Sequence, residues 1–163
     1  MKEITLTQGQ VAKVCDCCAH KVEGYKWCAD WKEHTQSYYA VRNSLLAERL
    51  LGAPSKILMH AVINGTPKGI MTDHRNHDTL DNQCSNLRNA TYTQNQQNTG
   101  KKPNNTSGFK GVSWDKQHKK WRARIVVNGV DKNIGYFDTP ELAAKAVDLT
   151  AREHFGEFAH TNF

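Results

Sequence analysis

Residues 70–98, IMTDHRNHDTLDNQCSNLRNATYTQNQQN, bring acids, histidines and amides together in one short polar segment. Residues 70–72 have the apolar and β-branched character of a short strand, which would deliver Asp73 and His74 at its end. Residues 75–88 are too polar for a regular core element, and residues 91–98 can form a polar helix capped by Thr91 or Thr93. The segment therefore predicts a strand, a polar loop and a helix.

The side chains of this segment suit the hydrolysis of phosphodiester bonds. The reaction needs a nucleophilic water, and His74 can accept its proton near neutral pH. It also needs charge neutralisation at the phosphate, for which Asp73 and Asn95 offer hard oxygen ligands that select Mg²⁺ or Mn²⁺ over Zn²⁺. An Asp-His pair alone occurs by chance in turns and caps, so the hypothesis depends on its regular spacing from Asn86 and Asn95.

Residues 60–98 resemble an HNH homing endonuclease of the phage type. The matching positions are Asp73-His74, Asn82, Ser85-Asn86-Leu87-Arg88 and residues 91–95. The resemblance implies a β-β-α hairpin that holds one Mg²⁺ or Mn²⁺ ion through Asp73 and Asn95, with His74 as the general base. It also implies that Asn86 ties the loop together and helps to orient His74.

Other residues near this motif are expected to be structural. His60 lies at the start of the motif and is interpreted as part of the fold, whereas His77 and Asp78 are expected to shape the loop. Family members often have an arginine where this chain has Ala61, and its loss would remove a phosphate contact. Asn98 could contact a phosphate or begin the linker that follows.

The last third of the chain shows a different pattern. Apolar residues at 121, 123, 125 and 127 alternate with Arg122 and Arg124, which is typical of a strand with one packed and one open face. Asn128-Gly129 favours a type I′ hairpin turn before a strand over residues 132–137, and residues 109–113 supply a further strand. Thr139 and Pro140 can begin a helix that ends at Gly156. Its packed face is expected to comprise Leu142, Ala143, Ala146, Val147, Thr150, Ala151 and His154.

This part of the chain resembles the plant Apetala-two, or ethylene-response-factor, DNA-binding domain. The resemblance rests on residues 108–114, 121–125, 134–139, 141–146 and 159–163. It implies a sheet that enters the major groove of duplex DNA. The candidate DNA-contacting residues are Lys110, Lys119, Lys120, Arg122, Arg124 and Lys132. Ser113 and Val126 stand where the family often has arginines, so base recognition is expected to differ; the alternative is a solvated strand face.

The cysteines allow two interpretations. Cys15, Cys17, Cys18, His20 and Cys28 could bind zinc, but their spacing is not that of a usual zinc finger, and related HNH proteins often carry acids here. Reduced, partly buried thiols are the simpler expectation. Cys84 is expected to be incidental.

Patterning and the two family resemblances together predict an α+β protein in four segments. These are a β-rich region over 1–53, a β-β-α-metal nuclease core over 54–98, a linker over 99–107, and a DNA-binding domain over 108–163 with a three-stranded antiparallel sheet packed on one helix. The N-terminal strands are expected at residues 4–7, 25–29 and 38–42, and residues 56–63 fit either a strand or a short helix.

The net charge of +6 over 163 residues suits binding to a polyanion. Residues 1–14 lack the apolar run of a signal peptide, and no stretch approaches a membrane span, so we expect a soluble cytoplasmic protein, in a host cell if it is phage-encoded. The leading hypothesis is a metal-dependent endonuclease that nicks or cuts double-stranded DNA. The sequence does not reveal its oligomeric state, and a monomer with one active site would favour nicking. Two alternatives stay open: a DNA-binding regulator with an inactive nuclease domain, and a nuclease acting on RNA or without sequence preference.

Overall fold

A computed structural model describes residues 1–101 and 104–163, and within them the chain divides into two units, Met1–Thr91 and Tyr92–Phe163. Lys102 and Pro103, which belong to the predicted linker, lie outside the described residues. The prediction of a mixed fold with several small sheets and few helices is confirmed. The boundaries between functional segments stay a prediction.

The first unit begins with a hairpin and a three-stranded sheet. β1 (Lys2–Thr5) pairs antiparallel with β2 (Val11–Val14), and the one-turn helix α1 (Asp16–Ala19) follows. β3 (Cys28–Lys32), β4 (Ser37–Asn43) and β5 (Lys56–Leu58) form an antiparallel sheet in that order, and α2 (Leu46–Leu50) lies between β4 and β5.

The predicted strand at residues 25–29 begins later, at Cys28. The physical reason is Trp27, which is buried and donates from its indole nitrogen to the carbonyl of Val22 at 2.9 Å. That bond holds the residues before Cys28 in a turn against the core. Residues 56–63 contain both predicted alternatives, because β5 is followed at once by α3 (Met59–Asn64).

The polar segment forms a second hairpin in the first unit. β6 (Met71–His74) pairs antiparallel with β7 (Leu87–Ala90), which sets Asp73 opposite Arg88 and His74 opposite Leu87. Residues 75–86 form the loop between the strands, called the β6–β7 loop below. Leu87 joins the core of this unit, whose other main members are Leu6, Val14, Val22, Trp27, Met59 and Ile63.

The second unit begins with α4 (Tyr92–Gln97) and continues into a sheet and a long helix. β8 (Val112–Asp115), β9 (Lys120–Val127) and β10 (Val130–Phe137) form an antiparallel sheet in the order β10-β9-β8. Asn128 and Gly129 join β9 to β10 with φ values of 53° and 77°, as a type I′ turn requires. α5 (Pro140–Phe155) packs on all three strands, and the hydroxyl of Thr139 accepts from the amide of Leu142 to cap it.

The buried face of α5 differs in part from the predicted one. Ala143, Val147 and Ala151 are buried as expected, but Leu142 is 49% exposed and His154 is also exposed. Ala144 and Asp148 take their places in the interior. The Asp148 carboxylate can be buried because the amides of Asn162 and Phe163 donate to it at 2.8–3.0 Å.

Candidate active site and nucleic-acid interface

Asp73 and His74 are the last two residues of β6, and both side chains are buried. The Oδ2 atom of Asp73 accepts from Nε and Nη2 of Arg88, each at 2.7 Å, across the hairpin. Both members of this ion pair are less than a tenth exposed. An unpaired charge at such a depth would cost several kcal/mol, so each group stabilises the other.

His74 is oriented by a buried amide on the β6–β7 loop. Its Nε2 atom lies 3.3 Å from Oδ1 of Asn82, a residue with no exposed surface. The Nδ2 atom of Asn82 donates to the carbonyl of Leu80 at 3.2 Å, so the amide oxygen is the atom that faces the histidine. Nε2 therefore carries the ring proton in the neutral imidazole, and Nδ1 is the basic nitrogen.

The surroundings keep His74 neutral. Burial lowers the pKa of His74, and this effect outweighs the hydrogen bond that Nε2 donates to Asn82 and the nearby carboxylates of Asp73, Asp78 and Asp81, which raise it. His60 on α3 lies beside it, with ring centroids 5.0 Å apart. Burial, and to a smaller extent repulsion from His74 when that ring is protonated, lowers the pKa of His60 to about 3. Tyr39 from β4 contacts both rings edge-on. His60 thus belongs to the buried side chains that surround His74.

Side-chain amides and carboxylates close the β6–β7 loop on itself. Asn86 donates from Nδ2 to the carbonyl of Asp81 at 2.8 Å, and its Oδ1 accepts from the backbone amide of Asn76 at 3.0 Å. Asn76 donates in turn to Oδ2 of Asp81 at 2.9 Å. His77 has a φ of 64°, and the carboxylate of Asp78 accepts from the amide of Leu80. These bonds give a polar loop a defined shape without an apolar core of its own.

The loop is also anchored to β2. The amide of Lys13 donates to the carbonyl of Leu80, and the amide of Asn82 donates to the carbonyl of Lys13, both at 2.8 Å. Asn82 is therefore fixed by backbone and side chain together. Its importance for His74 is missing from the sequence prediction, although Asn82 was among the residues that carried the resemblance.

Asn95, the second predicted metal ligand, lies on α4 in the second unit and is half-buried there. Its oxygen, like those of Asp73, belongs to the hard donors that suit Mg²⁺ or Mn²⁺. The metal-binding roles of Asp73 and Asn95 stay a prediction, as do the catalytic roles of His74 and Asn86.

The predicted DNA-contacting residues fall into two groups. Arg122 and Arg124 lie on the face of β9 turned away from α5, where they bond to Asn133 and Asp131 of β10 at 3.1 Å. Exposed lysines accompany them at Lys119, Lys120 and Lys132.

Lys110 is placed differently from these residues. Its ammonium donates to the carbonyls of Gln97 and Thr99 at 2.8 and 2.6 Å, and burial lowers the pKa of Lys110 to about 8 in spite of the nearby Asp148. An ammonium bonded to backbone carbonyls has less capacity to bind a phosphate, so its predicted role in DNA contact is the least supported of the set.

Four cysteines of the first unit lie together. The sulfur atoms of Cys15, Cys17, Cys18 and Cys84 are all within 4.8 Å of one another. His20 and Cys28, which the sequence grouped with the first three, do not belong to this cluster. The expectation that Cys84 is incidental was wrong, because the fold brings it to Cys15, 69 positions away in the chain.

Curated proteins similar to this chain include two from viruses. An uncharacterized HNH endonuclease of Acanthamoeba polyphaga mimivirus is 32% identical over 142 residues, which cover 86% of this chain and 68% of the relative. Protein 3.8 of Escherichia phage T7 is 37% identical over 93 residues, covering 57% of this chain and 76% of the relative.

A shorter similarity links the chain to plant proteins. An AP2-like ethylene-responsive transcription factor of Arabidopsis thaliana is 42% identical over 59 residues, covering 35% of this chain and 11% of the factor. No protein-family model and no solved structure matches the chain. Within residues 1–101 and 104–163, no helix has the length and apolar character needed to cross a membrane.

Proposed function

The chain belongs to the HNH endonuclease family, and we propose that it is a metal-dependent enzyme that hydrolyses phosphodiester bonds in duplex DNA. The observation that carries the proposal is the arrangement around His74. A histidine kept neutral by burial, and oriented through Nε2 by the amide of Asn82, sits beside Asp73 at the end of β6. The viral relatives favour action inside an infected host cell.

His74 acts in this proposal as the general base. Nδ1 accepts a proton from a water molecule, and the water oxygen forms a bond to phosphorus. The bond from phosphorus to the leaving oxygen breaks, and that oxygen departs with the electron pair. Asn86 supports the reaction indirectly, because its bonds to Asp81 and Asn76 shape the loop that carries Asn82.

The donor set fits a hard divalent cation. The resemblance to the family implies that Mg²⁺ or Mn²⁺ would be held by Asp73 and Asn95, and we propose these two residues as its protein ligands. Mg²⁺ keeps several of its waters and needs few protein ligands, so Asp73 would have to share its carboxylate between the ion and Arg88, which donates to Oδ2. When bound, the ion would neutralise charge on the phosphate and on the leaving oxygen.

The second unit is proposed to bind the duplex. Arg122 and Arg124 project from the open face of β9, and Lys119 and Lys120 add exposed positive charge around it. Lys132 is exposed as well, but it pairs with Ile125 and therefore lies on the other face of the sheet. Such a face can contact phosphates and base edges in a major groove, which admits a β-sheet. Asn133 and Asp131 orient the two arginines, which reduces the entropy lost when they bind.

A DNA-binding regulator with an inactive nuclease domain is the second candidate. The ion pair between Arg88 and Asp73 favours it, because a guanidinium bonded through Nε and Nη2 to one carboxylate oxygen competes with a cation for that group. The two candidates share DNA binding and differ only in the chemical step.

Plasmid nicking separates the candidates. Supercoiled DNA is incubated with the wild type in Mg²⁺, in Mn²⁺ and in EDTA, and with His74→Ala in Mg²⁺. Exposed His34 gives the matched control His34→Ala. The enzyme proposal expects metal-dependent nicking by wild type and His34→Ala and none by His74→Ala; wild type that binds DNA but never nicks with either metal would establish the regulator instead.

A further inference from the structure

We infer that Cys15, Cys17, Cys18 and Cys84 form a structural zinc site that fastens the β6–β7 loop to the N-terminal hairpin. The inference does not depend on nuclease activity, because it concerns a separate set of ligands in the first unit. It concerns a soft-ligand site, distinct in chemistry from the hard oxygen donors Asp73 and Asn95.

The sulfur positions match a tetrahedral thiolate site. With zinc–sulfur bonds of about 2.3 Å, tetrahedral geometry separates the sulfur atoms by about 3.8 Å. The distances here are 3.3 Å from Cys15 to Cys84, 3.8 Å from Cys17 to Cys18 and 3.8 Å from Cys17 to Cys84. All four atoms lie within 4.8 Å of one another, so a small closure around one cation completes the site.

The surroundings also suit bound thiolates. The backbone amide of Cys84 donates to the sulfur of Cys15 at 3.4 Å, the kind of bond that orients and stabilises a metal-bound thiolate. Cys18 is buried, whereas Cys17 and Cys84 are exposed, so the cluster sits at the surface with an entry path for the ion. Four thiolates in a closed tetrahedron are typical of structural zinc, and binding would release the thiol protons to solvent.

The position of Cys84 gives the site its structural consequence. Cys84 lies two residues after Asn82, whose side chain contacts His74, and the same stretch is bonded to Lys13 of β2. Cys15 follows the end of β2, and Cys17 and Cys18 belong to α1. A zinc ion here would join these two distant parts of the chain at the point where the loop positions Asn82.

Metal analysis of the reduced, full-length protein tests the inference. The protein is expressed with added zinc, purified in a thiol-free reductant without chelator, and its zinc and iron are measured by mass spectrometry. We expect one zinc per chain. Cys84→Ser should lose it, and Cys28→Ser, a cysteine outside the cluster, should keep it. Iron in place of zinc, or zinc retained in full by both Cys84→Ser and Cys17→Ser, would overturn the assignment.

A second measurement does not depend on how the variants fold. Wild-type protein stripped of metal is titrated with Co²⁺, which should give thiolate-to-cobalt charge-transfer absorption and the visible bands of a tetrahedral ion, saturating at one equivalent. Zinc should then displace cobalt and raise the melting temperature. Cysteines that bind neither ion under reducing conditions, or that are found in a disulfide in the freshly isolated protein by alkylation and mass spectrometry, would contradict the inference.

Discussion

At the scale of single residues, a buried amide helps to orient His74. Asn82 has no exposed surface, and its own backbone amide is held by the carbonyl of Lys13. Its Oδ1 accepts from Nε2 of His74 and so selects the tautomer in which Nδ1 is basic. A base in the wrong tautomer presents a proton where it should accept one.

Asn82→Ala should therefore reduce nicking by about 10- to 100-fold, the usual effect of losing a group that orients a reacting residue. The loss should appear in kcat with KM little changed, since Asn82 is not proposed to touch DNA. Steady-state nicking rates, normalised to the folded fraction from circular dichroism, measure the effect. Asn89→Ala removes an exposed amide from β7 and should leave kcat unaltered; equal rates for both variants would contradict the role of Asn82.

His60 predicts a pH dependence of stability. Burial lowers the pKa of His60 to about 3, whereas a histidine in the unfolded chain has a pKa near 6.5. Between pH 6.5 and 3, the unfolded chain therefore binds a proton at this residue and the folded chain does not. The stabilisation is complete above pH 6.5 and is lost as the pH falls towards 3. Between pH 6.5 and 4.5 the loss should be about 2 kcal/mol.

Chemical denaturation of wild type and His60→Gln at pH 6.5, 5.5 and 4.5 tests this dependence. The variant lacks the titrating ring, so its free energy of unfolding should fall less over this range, whatever its stability at pH 6.5. His34→Gln changes an exposed histidine and should follow the wild-type slope. Parallel curves for wild type and His60→Gln would rule out this role for His60.

At the scale of elements, the sheet and helix of the second unit meet closely at Gly111. Its φ is 76°, and a Cβ atom there would lie 2.7 Å from the carbonyl oxygen of Arg124 and 2.9 Å from Cγ1 of Val147. Gly129 has nearly the same φ, 77°, but no atom within 4 Å of an added Cβ. The two glycines therefore separate steric contact from backbone strain.

Gly111→Ala should lower the free energy of unfolding of this unit by about 2–4 kcal/mol, since it adds a clash with strand backbone to the cost of a positive φ. Gly129→Ala should lower it by only about 1 kcal/mol, the cost of the left-handed conformation. Differential scanning calorimetry of both variants measures the difference. A Gly111→Ala protein no less stable than Gly129→Ala would show that the contact relaxes freely.

The elements that the sequence predicted well are those with a strong local signal. β9 alternates clearly between apolar and basic residues, and the dipeptide Asn128-Gly129 strongly favours a tight turn. The residue pattern did not predict β7, which only the family resemblance implied. Leu87 and Ala90 alone give this strand apolar character, and its pairing with β6 depends on a partner across a long loop. The face of α5 was misjudged at Asp148, because its hydrogen-bonding partners come from the C-terminal residues 162 and 163.

At the scale of the whole molecule, the sequence predicts residues that would carry chemistry but not the distant residues that support them. The bonds between Lys13 and the β6–β7 loop, and the group of Cys15 with Cys84, join parts of the chain almost seventy residues apart. Such contacts leave no periodic pattern. The spacing of Asp73, His74 and Asn86 is local, which is why it could be interpreted before the fold was known.

Two kinds of variant should separate DNA binding from the chemical step. Arg122→Ala with Arg124→Ala removes two charges from the open face of β9, which should weaken duplex binding and reduce the slope of log K against log salt by about 2. The nicking rate of this variant should fall when enzyme is limiting, because less DNA is bound. It should recover when enzyme is in excess at low salt. His74→Ala should do the opposite, with normal binding and no nicking at any concentration.

Fluorescence anisotropy with a labelled duplex across a salt series, run beside plasmid nicking, makes this comparison. Lys145→Ala removes an exposed positive charge from α5 and serves as the control, with wild-type binding and nicking expected. If the double arginine variant kept the wild-type salt slope, the open face of β9 would be only a solvated surface. At a defined interface, the effect of removing a charge depends on the position of that charge. If Lys145→Ala changed the salt slope as much as the double arginine variant does, binding would therefore reflect only the overall positive charge of the chain.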